Sequence, residues 1–115
     1  MPRDLVQDDE IVLEGTVLLD EWVWADEPGV FSPGMVRDAL AQFDDDVTIV
    51  VNSGGGHAMA GESIRAILAN HSGEVRVRVT GYAASAASLM IMSADHIEMT
   101  KASVLMIHDP SSVTV

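Results

Sequence analysis

A chain of 115 residues, 48% of them hydrophobic, is long enough to bury one modest core and too short for a second domain. Its net charge of −12, with six Lys and Arg against eighteen Asp and Glu, argues against nucleic acid, whose phosphates need clustered cations, and against an anionic membrane surface. The absence of cysteine excludes a disulfide framework and a thiolate metal site, and fits a cytoplasmic origin.

Residues 1–10 are acidic and polar, lack the order of a signal peptide, and are read as an N-terminal tail. Ile11 to Leu19 is β-branched and apolar around Glu14 and Gly15, which predicts a strand. Asp20 to Gly29 is a polar connection holding Trp22 and Trp24. Ser32-Pro33 then places a helix N-cap before proline at the first helical position, and Val36, Ala39, Leu40 and Phe43 recur at helical spacing. Val47 to Val51 is a continuous apolar run, expected to be a strand buried on both faces.

Asn52-Ser53-Gly54-Gly55-Gly56 follows, then a predicted helix from Ala58 to Asn70 with Ile64, Ile67 and Leu68 on one face. Val75, Val77 and Val79 alternate with Arg76, Arg78 and Thr80, the pattern of a half-buried strand. Gly81 leads into a small-residue helix, Ala83 to Met92, and two further strands are predicted at His96–Met99 and Val104–His108. The longest apolar stretch, Tyr82 to Ala94, is too short to span a bilayer and is broken by serines, so a soluble protein is expected. Strands alternating with helices give an α/β fold class.

Three stretches could carry chemistry. Glycines between a buried strand and a helix let backbone N–H groups approach an anion or a developing oxyanion; equally, they form a tight turn. No Gly-Lys-Ser/Thr follows, which excludes a P-loop, and Met59 stands where a dinucleotide fingerprint needs a third small residue. Ser85, at a helix start after a strand, can present its hydroxyl at the corner, with the Ala86 N–H on the same side; the alternative is a close-packed helix of small residues. His108, at the end of an apolar strand, is either a base or a hydrogen-bonded structural residue. Asp109, as the next residue of that strand, is expected on the opposite face and out of reach of the same imidazole. His57 could line the glycine cleft, His71 reads as a solvated helix end, and His96 lies in a polar stretch. No spacing of His or carboxylates fits a metal, and no cofactor is expected. Acyl transfer needs a nucleophile, a base and two N–H donors converging on one point, and these three stretches supply all of them.

Taken together, Asn52-Ser53-Gly54-Gly55-Gly56, Ala60-Gly61, Gly81-Tyr82-Ala83-Ala84-Ser85 and Met106-Ile107-His108-Asp109-Pro110 resemble the ordered motifs of the ClpP-type serine peptidases over roughly residues 11–112. The repeated Ala-Ala-Ser and the Glu21-Trp22 segment look more like the phage and prophage branch, whose members mature viral heads. The resemblance implies the ClpP/crotonase fold, a spiral of strand-strand-helix units, for a peptidase domain over residues 11–115. It implies Ser85 as nucleophile, His108 as general base, the N–H groups of Gly56 and Ala86 as oxyanion hole, and Gly54, Gly55 and His57 against the substrate. A methyl on Gly56 is accordingly expected to crowd the tetrahedral oxygen.

The family usually has proline where this chain has Gly54, which loosens the hole. Its triad aspartate follows the histidine at a distance that would fall beyond Val115. The chain is therefore expected to be the N-terminal part of the domain, weakly active on its own. Also implied are a protein or peptide substrate such as a capsid or scaffold protein, a homo-oligomeric ring, an unfoldase partner whose existence is open, and a bacterial or phage-infected cytoplasm. Two other classes compete: a crotonase-type CoA-thioester enzyme, and an assembly protein that keeps the fold without the chemistry.

Overall fold

The computed structural model describes residues 2–106. Among them, Val6–Gln7 (β1) and Glu10–Val17 (β2) form an antiparallel hairpin, and Val30–Phe31 (β3) runs parallel to the end of β2. Pro33–Leu40 (α1), Val47–Gly56 (β4), Ala58–Ala69 (α2), Val75–Ala84 (β5), Ala86–Met90 (α3), His96–Met99 (β6) and Val104–Met106 (β7) follow. The strands make a seven-stranded sheet in the order β1-β2-β4-β5-β6, with β3 on β2 and β7 on β5. The three long strands at its centre are parallel.

Parallel register stacks apolar residues in rows. Ile11 lies opposite Ile49 and Ile49 opposite Val77; Leu13 lies opposite Val51 and Val51 opposite Val79. All of these side chains are buried, and one core cluster joins them to Val36, Ala39 and Leu40 of α1 and to Ile64 and Leu68 of α2. Strand side chains alternate between faces, so the other face carries Glu10, Thr48, Arg76 and Arg78. There the Arg78 guanidinium bonds both carboxylate oxygens of Glu10, at 3.1 and 2.9 Å. That hydrogen bonding, and then the charge of Glu10, hold the arginine above its ordinary pKa.

The structure departs from the sequence reading in several places. Thr48 and Val50 are only partly buried, so the run Val47–Val51 is covered on one face and not on both. β4 continues through the glycines to Gly56 because β2 goes on pairing with it, Thr16 opposite Gly55 and Val17 opposite Gly56. β5 likewise continues to Ala84, which delays the next helix to Ala86. α1 ends at Leu40, and Phe43 reaches the core from the following turn. Ser32 is the N-cap by backbone geometry, but its side chain makes no capping bond; instead Asp20 accepts the Gly34 N–H at 2.7 Å. Within the segment read as a tail, Leu5 is fully buried and Val6–Gln7 pairs with β2. The strand predicted over Val104–His108 is present from Val104 to Met106, where the described residues stop.

Candidate active site

The C-terminal ends of β4 and β5 meet at the glycines. Both ladders slip there: β2 and β4 shift register between Glu14 and Thr16, and β4 and β5 shift between Val51 and Ser53. A slipped ladder leaves backbone groups without their strand partners. The Ser53 side chain, 1% exposed, fills this gap: its hydroxyl donates to the Gly15 carbonyl at 2.6 Å and accepts the Gly55 N–H at 3.1 Å. Of the glycine N–H groups, that of Gly55 is therefore engaged. The Val17 carbonyl accepts the His57 N–H at 2.9 Å. Asn52 braces the neighbouring strand, its side-chain oxygen accepting the Tyr82 N–H at 3.3 Å.

Ser85 stands between β5 and α3 with φ 56° and ψ −126°, a conformation that L-residues with a Cβ rarely adopt. Holding such a residue costs about 1–3 kcal/mol, and the same sharp strand-to-helix turn in other hydrolases exposes a serine hydroxyl. Ser85 is partly exposed. Ala86 opens α3, so its N–H has no intrahelical acceptor, and none is found for it elsewhere among the described residues. The Ser85 carbonyl is held by the Ser88 N–H, the Leu89 N–H and the Ser88 hydroxyl, the last at 2.6 Å. Ser88 is thus buried and committed, at 1% exposure, whereas Ser85 is open.

The small residues around Ser85 have a packing reason. A Cβ on Gly55, whose φ is +100°, would lie 2.7 Å from the Ala84 carbonyl oxygen, 2.9 Å from the Ser85 Cβ and 3.0 Å from the Ala86 nitrogen. A Cβ on Gly61 of α2 would lie 2.9 Å from the Ala86 carbonyl oxygen. The alanine run therefore has the packing role, which does not conflict with a nucleophilic Ser85: close approach of α2 and of the β4 glycines holds the corner in place.

The other sequence-predicted residues fall as follows. Gly54 is exposed beneath the Tyr82 ring, with 3.3 Å between that ring and the position of a Cβ. The expectation for a methyl on Gly56 is corrected: it would strike the Val17 carbonyl oxygen at 2.2 Å, so it disrupts β2 before it crowds any oxyanion. His57 is the N-cap of α2, its Nδ1 accepting the Ala60 N–H at 3.4 Å, and its ring stands nearly perpendicular to that of Trp22, at 87° and a centroid distance of 5.9 Å. Trp22 and Trp24 are 56% and 79% exposed. His108 and Asp109 lie outside the described residues. Sequence reasoning missed Ser53, Tyr82 and Trp22 as parts of this region; Ser53 stood inside a quoted motif, but its bond to Gly15, 38 residues away, has no local signal.

β7 approaches the same corner. Ala84 lies opposite Met106, and the Met106 carbonyl accepts the Ser85 N–H at 3.2 Å. Surface cavities of about 150, 210 and 470 Å³ lie elsewhere, around Met35, around Arg76 and between α1 and α2; none is lined by Ser85 or by the glycines of β4.

A family model described as Clp protease matches residues 33–115. Among solved structures, a ClpP1 point mutant from Listeria monocytogenes superimposes with a TM-score of 0.60 at 24% identity, over 75% of this chain and 46% of that one. This chain thus spans about half the length of that structure, and the likeness establishes the expected α/β, ClpP-like fold. No curated protein matches.

Proposed function

The chain belongs to the Clp protease family across residues 33–115, and from that premise we propose that it is a serine endopeptidase in which Ser85 is the nucleophile and His108 the general base. The observation that carries this reading is the Ser85 corner itself, with φ 56° and ψ −126° on a partly exposed serine and, on the next residue, an N–H at the first position of α3 that has no acceptor among the described residues. The Ser85 Oγ attacks the scissile carbonyl carbon while His108 takes its proton. The carbonyl oxygen becomes an oxyanion held by the Ala86 and Gly56 N–H groups. The tetrahedral intermediate collapses, the C–N bond breaks, and the amine leaves with the proton from His108. Water then cleaves the acyl-enzyme by the same route in reverse. Each oxyanion donor is worth about 10²–10³ in turnover.

The base has support from chain reach. The Met106 carbonyl lies beside the Ser85 N–H, and two further residues extend no more than about 7 Å. Gly54, Gly55 and His57 are proposed to face the substrate. That substrate is a protein segment, and the Glu21-Trp22 segment supports the phage head maturation branch, with a capsid or scaffold protein as natural target. Rings of copies of this chain would restrict access to threaded, extended polypeptides. The family match favours the peptidase over the CoA-thioester alternative.

The test is hydrolysis of an unfolded polypeptide by the chain and by its Ser85→Ala and His108→Ala variants. Cleavage that both substitutions abolish supports the assignment. Cleavage that survives Ser85→Ala refutes it.

A further inference from the structure

We propose that Ser53 is a positioning residue that sets the Gly55–Gly56 backbone for oxyanion binding, an inference that rests on the Ser85 peptidase reading. Ser53 touches no reacting atom. It is 1% exposed, and its hydroxyl sits where the ladders to β2 and β5 both slip. The ladder to β2 slips between Asn52 and Gly55 and that to β5 between Val51 and Ser53, so the peptide planes around Ser53 and Gly54 lack the usual run of strand bonds before pairing with β2 resumes at Gly55. Gly55 at φ +100° and Gly56 at φ +150° also lack the side chains that would narrow their conformations. One hydroxyl supplies the missing restraint, donating to Gly15 and accepting from Gly55.

The anchor is itself rigid. A Cβ on Gly15 would lie 2.0 Å from the Gly29 carbonyl oxygen, and that oxygen accepts the Thr16 N–H at 3.0 Å. Gly15 is therefore clamped between Gly29 and Ser53, and its carbonyl has little room to move. The restraint runs from the end of the tryptophan-bearing loop through Gly15 and Ser53 to Gly55, whose backbone lies against the Ser85 corner. A hydroxyl that only satisfied buried backbone groups would influence stability. A positioning hydroxyl also governs how well the Gly56 N–H meets a developing negative charge, because oxyanion donors act through preorganisation.

The experiment compares the 115-residue chain with its Ser53→Ala and Ser53→Thr variants by two measurements. The first is amide hydrogen exchange and ¹⁵N–¹H shifts at Gly55 and Gly56. One hydrogen bond lost should speed exchange at Gly55 by about 3- to 10-fold in Ser53→Ala, and Ser53→Thr, which keeps the hydroxyl, should restore protection. The second is inactivation by a fluorophosphonate, whose phosphoryl oxygen occupies the oxyanion position. Ser53→Ala should lower the maximal inactivation rate by about 10-fold or more while leaving the half-saturating probe concentration near its original value. Unchanged exchange and shifts at Gly55 and Gly56 in Ser53→Ala would overturn the inference. So would an unchanged inactivation rate alongside a lowered melting temperature. Failure of the unsubstituted chain to react would instead overturn the Ser85 reading, and the amide measurement, which needs no nucleophile, would still decide the Ser53 restraint.

Discussion

Replacing Gly55 by alanine tests whether the β4 glycines and the Ser85 corner form one packed unit. The new methyl carbon would lie 2.7 Å from the Ala84 carbonyl oxygen, 2.9 Å from the Ser85 Cβ and 3.0 Å from the Ala86 nitrogen. None of these is the free end of a flexible side chain, so backbone must move. A side chain at φ +100° costs about 1–3 kcal/mol, and overpacking of this kind costs a further ~1–3 kcal/mol. Relaxation shares these terms, which puts the expected loss near 3 kcal/mol. At a slope of ~2 kcal/mol per molar urea, the midpoint should fall by about 1.5 M. Fluorophosphonate labelling of Ser85 should slow in the same variant under conditions where it remains folded. Gly54→Ala is the control: its methyl meets only the Tyr82 ring at 3.3 Å, which can swing away, so the midpoint should fall by less than about 0.5 M. Equal midpoints for Gly55→Ala and Gly54→Ala would refute the packing argument.

Ile49→Ala removes a fully buried side chain between Ile11 and Val77, and should cost about 3–4 kcal/mol, read as a fall of more than ~10 °C in thermal unfolding. Glu10→Gln should cost only about 0.5–1 kcal/mol at low salt, because both partners of its ion pair with Arg78 are about a third exposed, and the difference should shrink as salt rises. Arg78 has a raised pKa when folded, so its part of that stability is complete below the unfolded arginine value and is lost only as pH rises through the folded one. Urea titrations from about pH 6 to 9 should therefore show no arginine-linked slope. Self-association, if copies assemble as proposed, should strengthen with salt, since chains of net charge −12 repel one another over about 10 Å at 0.1 M; light scattering that finds a strict monomer at high salt and high concentration would count against assembly.

What the sequence made legible follows from period and punctuation. Val75, Val77 and Val79 alternate with charged residues, and this alone gave the buried face of β5. Ser32-Pro33 gave the start of α1, but the capping bond comes from Asp20 across a loop, a contact set by tertiary packing. The glycines read locally as a turn because glycine is a weak strand former; pairing with β2 overrode that preference and carried β4 to Gly56. Ser85 was recognisable from small neighbours and position. Its positive φ was not, because backbone conformation at a strand-to-helix corner is imposed by both flanking elements. Ser53 shows the same limit most clearly, since its two hydrogen bonds matter only where two ladders slip together, and a register slip leaves no trace in composition.

Whether Ser85 is a reactive nucleophile is read most directly from the site of covalent attachment of a fluorophosphonate probe. Intact mass followed by peptide mapping should show one phosphonyl adduct per chain, on the Gly81–Met92 segment and at Ser85. Ser85→Ala should abolish it. Ser88 should remain unmodified, because its hydroxyl is buried and donates to the Ser85 carbonyl at 2.6 Å. An adduct on Ser88, or labelling that persists in Ser85→Ala, would contradict the central claim.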